Sequence, residues 1–121
     1  MVSHAIEGQV VLMAGAKASV SLSRLSELLE RFQTHLDGDR DEYDRRFECL
    51  DGSEDVLYYL VPAGHIGTVG SELGFTDRES DAIRRSHQAQ FERDGRRLGR
   101  GEEFEAALEI RDVVAVPSDG Q

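Results

Sequence analysis

The sequence predicts an α+β protein in which a small antiparallel sheet of about three strands packs against amphipathic helices. Two observations carry this prediction. Apolar residues repeat at helical spacing in the first third of the chain, and the period shortens to that of β-strands from about residue 43. The length of 121 residues and the hydrophobic content of 39% suit a single domain that covers residues 1–121.

The first predicted element lies near residues 3–18. Four of its residues repeat at helical spacing, which favours a helix: Ile6, Val10, Met13 and Lys17. Two glycines weaken this helix, so a short buried strand over residues 9–14 is the alternative.

The helix predicted over residues 22–36 has the clearest pattern in the chain. Ser21 is placed to cap its first turn, and Asp37-Gly38-Asp39 ends it. We expect its apolar face to be the main packing surface beneath the sheet. This face carries five residues: Leu22, Leu25, Leu29, Phe32 and Leu36.

Two strands are predicted next, over residues 43–50 and 56–61, and the loop of residues 51–55 joins them as a hairpin. The second strand is apolar on both faces, so we expect it at the centre of the sheet. A third strand is predicted within residues 104–116, with a preceding helical turn as an option. Residues 118–121 are expected to form a frayed tail.

A short helix around Ile66 ends at Gly74, and a longer helix that reaches about Arg97 follows it. Thr76 and Glu79 form the capping box that starts the longer helix. Its apolar seam is narrow, so we expect much of its circumference to face water or a partner. The seam consists of Ile83, His87, Phe91 and Leu98.

The charge of the chain is strongly biased. Asp and Glu number 24 against 14 basic residues, the net charge is −10, and Lys17 is the only lysine. This composition is typical of proteins from salt-in halophiles, because salt screens the repulsion between carboxylates beyond about 3 Å at 1 M. A GC-rich genome would explain the arginines but not the acids. Residues 37–55 carry −6, whereas residues 78–100 carry +3.

The sequence shows no targeting or membrane-spanning segment, because the apolar run of residues 10–14 is too short to cross a bilayer. We therefore expect a cytoplasmic protein with no membrane partner. The single cysteine excludes an internal disulfide.

Catalytic, metal and cofactor motifs are not recognisable either. The four histidines lack metal-ligand spacing, and Cys49 lies on a predicted strand, where we expect a buried and inert thiol. The glycine-rich residues 64–70 match neither a dinucleotide fingerprint nor a P-loop. We therefore predict no catalytic residues, no metal site and no cofactor. A small enzyme would need His65, His87 or Cys49 to converge in one pocket.

Four features follow one another within residues 65–97: a small residue (Gly70), a glycine (Gly74), a hydrophobic residue directly after it (Phe75) and a helix cap (Thr76). This order resembles the helix-turn-helix motif of DNA-binding regulators, in which they mark the helix crossing, the turn and the start of the second helix. The sequence departs from the motif at Ser80, where a buried Val or Ile is usual. Acids in the first turn of the second helix would also face phosphates. The resemblance implies a DNA-binding regulator that uses this segment.

Three further stretches of the sequence carry a resemblance: residues 3–6 (SHAI), 60–65 (LVPAGH) and 103–111 (EFEAALEIR). Through them the chain resembles, over most of its length, a small, acidic, uncharacterised protein family of halophilic archaea. It implies no activity.

The leading functional prediction is a non-enzymatic regulatory or protein-interaction module with an unidentified protein partner. A DNA-binding regulator is the first alternative, and a small enzyme is the second. Arginines paired with neighbouring acids would favour a salt-bridged solvent face or a protein-binding surface, whereas free arginines would favour phosphate. The candidate residues for partner or DNA binding are Thr76, Arg78, Arg84, Arg85, His87 and Arg96.

Overall fold

The structure is a computed structural model that describes residues 5–52 and 55–117. These residues form an α+β fold with one three-stranded antiparallel sheet, which confirms the predicted fold class. The predicted frayed tail, residues 118–121, lies outside the described residues. The elements are α1 (Gly8–Ala18), α2 (Leu22–Gly38), α3 (Arg40–Arg46), β1 (Glu48–Asp51), β2 (Val56–Pro62), α4 (His65–Glu72), α5 (Asp77–Arg97), α6 (Gly101–Leu108) and β3 (Arg111–Pro117).

The first element, α1, is a helix and not the alternative strand. Val10 and Ala14 are buried on one of its faces, as helical spacing requires. Ser19 ends the helix in the left-handed conformation, with a φ of 59°. None of the helices in the described ranges is long and apolar enough to cross a membrane.

The helix predicted at 22–36 is α2, and Ser21 caps it by accepting a hydrogen bond from the Arg24 backbone N–H. Two details of the predicted face differ. Leu28, outside the predicted stripe, is fully buried, whereas Leu22 is 49% exposed. The other members of the stripe are buried as predicted: Leu25, Leu29, Phe32 and Leu36.

The sheet has the order β1-β2-β3, so β2 is its central strand, as predicted. Tyr58 and Tyr59 on β2 are both buried, because Tyr58 packs on Phe91 of α5 and Tyr59 packs on Tyr43 of α3. The strand predicted within residues 104–116 is also found: the helix α6 comes first, and β3 pairs with β2 over its whole length.

The strand predicted over residues 43–50 is wrong in its first half. Arg40–Arg46 form a helix, and only Glu48–Asp51 form the strand β1. The helix is favoured locally because Glu42 lies in its first turn and Arg45 in its last, which complements the helix dipole. The two side chains also form an ion pair at 2.9 Å.

Helix α5 is central to the fold and contacts α1, α2, α4, α6 and β3. Nine of its residues are buried and five of these are polar, so the predicted seam was too narrow. Polar groups can be buried there because they are hydrogen-bonded: Ser86 Oγ donates to the Ala82 carbonyl at 2.8 Å. Leu98, which was placed in the seam, is 42% exposed at the C-cap.

Helices α4 and α5 are joined by a glycine turn, as predicted. Gly74 has a φ of +83°, which other residues rarely adopt, and Thr76 and Glu79 form the capping box of α5. At the crossing, a Cβ on Gly70 would lie 2.0 Å from Ser80 Oγ. Ser80 therefore occupies the space that a larger residue at position 70 would need.

Candidate functional site: a basic groove between α1 and α5

A groove of about 350 Å³ lies between α1 and α5. Its floor is apolar and includes Val10, Ala14 and Ala89, and Met13 lies beside them with 52% of its surface exposed. One acidic residue, Glu92, and five basic residues also line the groove. Because the basic residues outnumber the acidic one, we call this site the basic groove. The five are Lys17, Arg84, Arg85, Arg93 and Arg96.

This concentration of positive charge contrasts with the net charge of −10 on the whole chain. Four of the five cations belong to the net-positive segment of residues 78–100, and α1 contributes the fifth, Lys17. Lys17 is the last residue of α1 that lines the groove, and the helix ends one residue later. The fold therefore brings a cation from another part of the chain to the positive face of α5.

Two of the arginines share one carboxylate. Arg84 Nη2 lies 2.8 Å from Asp81 Oδ1, and Arg85 Nε lies 2.7 Å from Asp81 Oδ2. Hydrogen bonds from Arg85 and then Arg84 lower the pKa of Asp81. Because one carboxylate meets two guanidinium groups, one positive charge remains at this end of the groove.

The remaining cations are less neutralised. Arg93 Nε is 3.6 Å from Glu7 Oε1, a long ion pair that Glu7 shares with Arg97. Within the part of the chain that the structure describes, no carboxylate lies within ion-pair distance of Lys17 or Arg96. Lys17 and Arg96 are both exposed, so their charges are available to a ligand.

A polar network centred on Glu7 fixes α1 against α5. Glu7 accepts hydrogen bonds from Arg97 Nη1 and Nη2 at 2.6 and 2.9 Å and from Gln90 Nε2 at 2.8 Å. Its backbone N–H also donates to Gln90 Oε1 at 2.8 Å. The bonds from Arg97 and Gln90 lower the pKa of Glu7 to about 2, so the carboxylate stays ionised. The network therefore holds together the two helices that form the groove.

The structure places three of the six predicted site residues in the groove: Arg84, Arg85 and Arg96. Thr76 is the N-cap of α5, and its side chain accepts a hydrogen bond from the Glu79 backbone N–H. Arg78 is exposed in the first turn of α5, outside the groove.

His87 is not available on the protein surface. Only 2% of the surface of His87 is exposed, and its Nδ1 accepts a hydrogen bond from the Ala115 N–H at 2.8 Å. Burial lowers the pKa of His87 to about 3, because the charged form would lose its hydration. His87 is therefore not one of the surface residues of α5 that could contact a partner or DNA, because the buried face of this helix is wider than its apolar seam.

Sequence reasoning missed Lys17, Arg93 and the apolar floor. Val10, Met13 and Lys17 were visible as one helical face, but their position against α5 depends on tertiary packing. The signal that could have indicated Lys17 is its identity as the only lysine in a chain that otherwise uses arginine.

The groups considered for catalysis lie in different surroundings. Cys49 is exposed on the edge strand β1, which corrects the expectation of a buried thiol, and its pKa is raised mainly by desolvation. His65 Nε2 lies 2.5 Å from Tyr43 Oη, whereas His87 is bonded to β3. Among the described residues, no three His, Cys, Asp or Glu side chains are grouped to hold a metal ion.

The fold and the groove define a small, acidic α+β protein with a basic groove between two helices. Residues 4–118 match the family described as Domain of unknown function (DUF8048), and the chain belongs to this family. Comparison with curated proteins and with solved structures gives no match.

Proposed function

We propose that the protein is a non-enzymatic regulatory or protein-interaction module whose basic groove binds an acidic, amphipathic helix of a partner protein. The observation that carries this proposal is the charge of the groove: five cations and one acid surround an apolar floor in a chain of net charge −10. A complementary ligand has carboxylates on both sides of an apolar stripe.

The geometry of the groove suits a helix. Val10, Ala14 and Ala89 are small enough to let a third helix approach the pair, and Met13 adds a flexible apolar surface. Among the cations that line the groove, Lys17 and Arg96 have no described counter-ion, so their pairing with partner carboxylates breaks no existing ion pair.

We also propose that the protein is adapted to high salt, as the acid excess and the single lysine indicate. Screening weakens pairs between exposed charges at molar salt, whereas the burial of apolar surface is not screened. In such a medium the apolar floor supplies much of the affinity, and the cations select the acidic partner.

DNA binding through the helix-turn-helix-like segment ranks second. Helix α5 would be the reading helix, but it is packed on five other elements and its first turn carries Asp77 and Glu79. Arg84 and Arg85 already share Asp81. Phosphate binding also weakens steeply with salt, by a log–log slope of about −0.9 for each phosphate contacted.

The test measures binding of a synthetic amphipathic helix with glutamates beside a leucine stripe, and of the same peptide with lysines in place of the glutamates. We expect the wild type to bind the acidic peptide and not the basic one. Lys17→Ala/Arg96→Ala should weaken binding by about tenfold, the effect of losing about 1.4 kcal/mol. Arg78→Ala is the matched control, because Arg78 is an exposed arginine outside the groove.

Zero-length cross-linking adds an independent readout. Carbodiimide couples an amine to a carboxylate, and Lys17 is the only lysine side chain. We expect a peptide carboxylate to become linked to Lys17. Equal binding of the two peptides would overturn the proposal. Submicromolar binding of random duplex DNA that Arg84→Ala/Arg85→Ala abolishes would replace it with the DNA-binding alternative.

A further inference from the structure

Helix α6 and the turn that follows it present an acidic, amphipathic face on the protein surface. Three glutamates follow one another at intervals of about one helical turn, and all three are exposed: Glu102, Glu105 and Glu109. Ala106 and Ile110 lie beside them, and Ile110, at 74%, is the most exposed of the large apolar residues in the described ranges. This acidic face therefore has the chemistry that the basic groove is proposed to bind.

The fold holds the acidic face away from its own chain. Phe104, on the opposite side of α6, is fully buried and stacks on Phe91 of α5. Glu103 pairs with Arg100 at 2.7 Å, but among the described residues no basic side chain lies within ion-pair distance of the three glutamates of the acidic face. These carboxylates are therefore available to another molecule, and α6 cannot turn them towards the groove of the same chain.

The basic groove and the acidic face lie next to each other on the molecule. Glu92 and Arg96 line the groove, and the same two residues border a surface depression with Gly101, Glu102 and Glu105 of α6. When two copies meet across a two-fold axis beside these residues, the groove of each copy lies opposite α6 of the other. One symmetric arrangement therefore makes both contacts at once.

We propose that the basic groove of one copy binds the acidic face of α6 in a second copy, so that two chains form a symmetric dimer with two identical contacts. The inference rests on the proposed function, because it names an occupant of the same groove. The apolar residues of α6 meet the floor of the groove. Its glutamates meet Lys17 and Arg96, the lining cations without a described counter-ion.

The distribution of charge decides which surfaces of two copies can meet. Each chain has a net charge of −10, so acidic surfaces of two copies repel each other. The basic groove, with five cations and one acid, attracts an acidic surface instead. Molar salt screens the general repulsion beyond about 3 Å, whereas the contact between apolar surfaces is not screened. We therefore expect the dimer to form at high salt.

Sedimentation equilibrium of the full chain in 1 M KCl tests the dimer. We expect the wild type to dimerise with a dissociation constant of about 100 μM or lower. Glu105→Arg/Glu109→Arg reverses the acidic face, and Lys17→Glu/Arg96→Glu reverses the charge of the groove. Each variant should associate about tenfold more weakly than the wild type, because like charges then meet in both contacts. Arginine near the C-terminus of α6 suits the helix dipole, so the first variant should stay folded.

An equimolar mixture of the two variants gives the sharpest comparison. In the mixed dimer the reversed groove meets the reversed α6, and the unchanged groove meets the unchanged α6. We expect the mixture to associate as strongly as the wild type. The charge changes cancel in the mixture, so a general effect of net charge cannot produce this rescue. Glu30→Arg/Glu72→Arg is the matched control for the α6 variant, because both glutamates are exposed and lie outside α6 and the groove. It should not weaken association.

The acidic peptide described above separates this inference from the proposed function. It should bind the α6 variant, whose groove is unchanged, and it should dissociate the wild-type dimer. A wild type that stays monomeric while the peptide binds would overturn the dimer and leave the proposed function in place. A dimer that the peptide does not dissociate uses another surface and would also overturn the inference. The same holds if the mixed variants do not associate, or if the wild type grows beyond dimers.

Discussion

Tyr58 donates its hydroxyl hydrogen to the carboxylate of Asp94 at 2.6 Å, and both residues are fully buried. This bond joins the central strand β2 to α5. The Tyr58 pKa is raised, mainly by burial and then by the hydrogen bond to Asp94. We expect Tyr58→Phe to lower the free energy of unfolding by about 1–3 kcal/mol, because the buried carboxylate loses its closest donor.

Urea denaturation of Tyr58→Phe and Tyr59→Phe measures this effect. Tyr59 donates to Asp44, which is exposed and can bind water instead, so Tyr59→Phe should cost about 1 kcal/mol or less. Equal losses in the two variants would show that the burial of Asp94 does not matter.

A second prediction concerns the buried face of α2. Leu28 is fully buried, so Leu28→Ala should lower the free energy of unfolding by about 2–5 kcal/mol through lost burial and a new cavity. Leu22→Ala on the same helix is the control and should cost about 1 kcal/mol or less, because Leu22 is half exposed. The packing described for α2 is wrong if the two losses are reversed.

The contact between α5 and α6 depends on Gly95. A Cβ at this position would lie 2.9 Å from Phe104 Cδ2, and the Phe104 ring stacks on Phe91 with centroids 4.2 Å apart. Gly95→Ala should therefore destabilise the fold by about 1–2 kcal/mol, even though alanine favours a helix. Gly67→Ala has open space around it and should stabilise by about 0.5–1 kcal/mol. Thermal denaturation that shows stabilisation in both variants would contradict the close packing.

His87 should make the protein sensitive to acid. Its pKa is about 3 in the folded protein against 6.5 in the unfolded chain, so as pH falls below 6.5 the unfolded chain binds the proton first. The contribution of His87 to the free energy of unfolding is complete above pH 6.5 and is lost as the pH falls towards 3. Between pH 7 and pH 5 the loss is about 2 kcal/mol from this group.

The measurement is the free energy of unfolding at the two pH values in constant salt. We expect His87→Asn to be less stable than the wild type while keeping a hydrogen-bond acceptor, and its loss of unfolding free energy between pH 7 and pH 5 should be smaller. The lowered pKa of His65 acts in the same direction and remains in the variant. An unchanged pH dependence in His87→Asn would show that His87 is not the responsible group.

Salt should stabilise the protein, because its net charge of −10 means that acidic side chains repel one another in the folded state. We expect the melting temperature to rise substantially between 0.1 M and 2 M KCl. Asp41→Asn/Asp55→Asn should reduce this rise, since both residues are exposed and neither is in a described ion pair. A flat response in a well-folded wild type would remove the argument for adaptation to high salt.

The elements with strong local signals were predictable from the sequence. Ser21 and Thr76 cap α2 and α5 as expected, and the doubly apolar residues 56–61 form the central strand. Their signals lie within a few residues of the structure that they determine. The helix α3 was missed because Tyr43 begins an alternating pattern, whereas the charges of Arg40–Arg46 favour a helix.

The groove could be predicted only in part. The positive segment of residues 78–100 identified Arg84, Arg85 and Arg96, because charge is visible in sequence. The contribution of α1 to the groove could not be predicted, because it depends on hydrogen bonds between Glu7 and residues about ninety positions later in the chain. Cys49 was misplaced for a similar reason, because the exposed face of an edge strand is set by the sheet order.

The hydrogen bond between Ala115 and His87 also affects how the protein behaves beside its own copies. β3 is an edge strand, and alternate residues of such a strand direct their N–H and C=O groups away from the sheet. The Ala115 N–H is taken by His87, and the Pro117 carbonyl accepts from Arg40 Nη1 at 3.3 Å. An incoming chain would need these groups to extend the sheet. Two side chains therefore protect an apolar edge from aggregation.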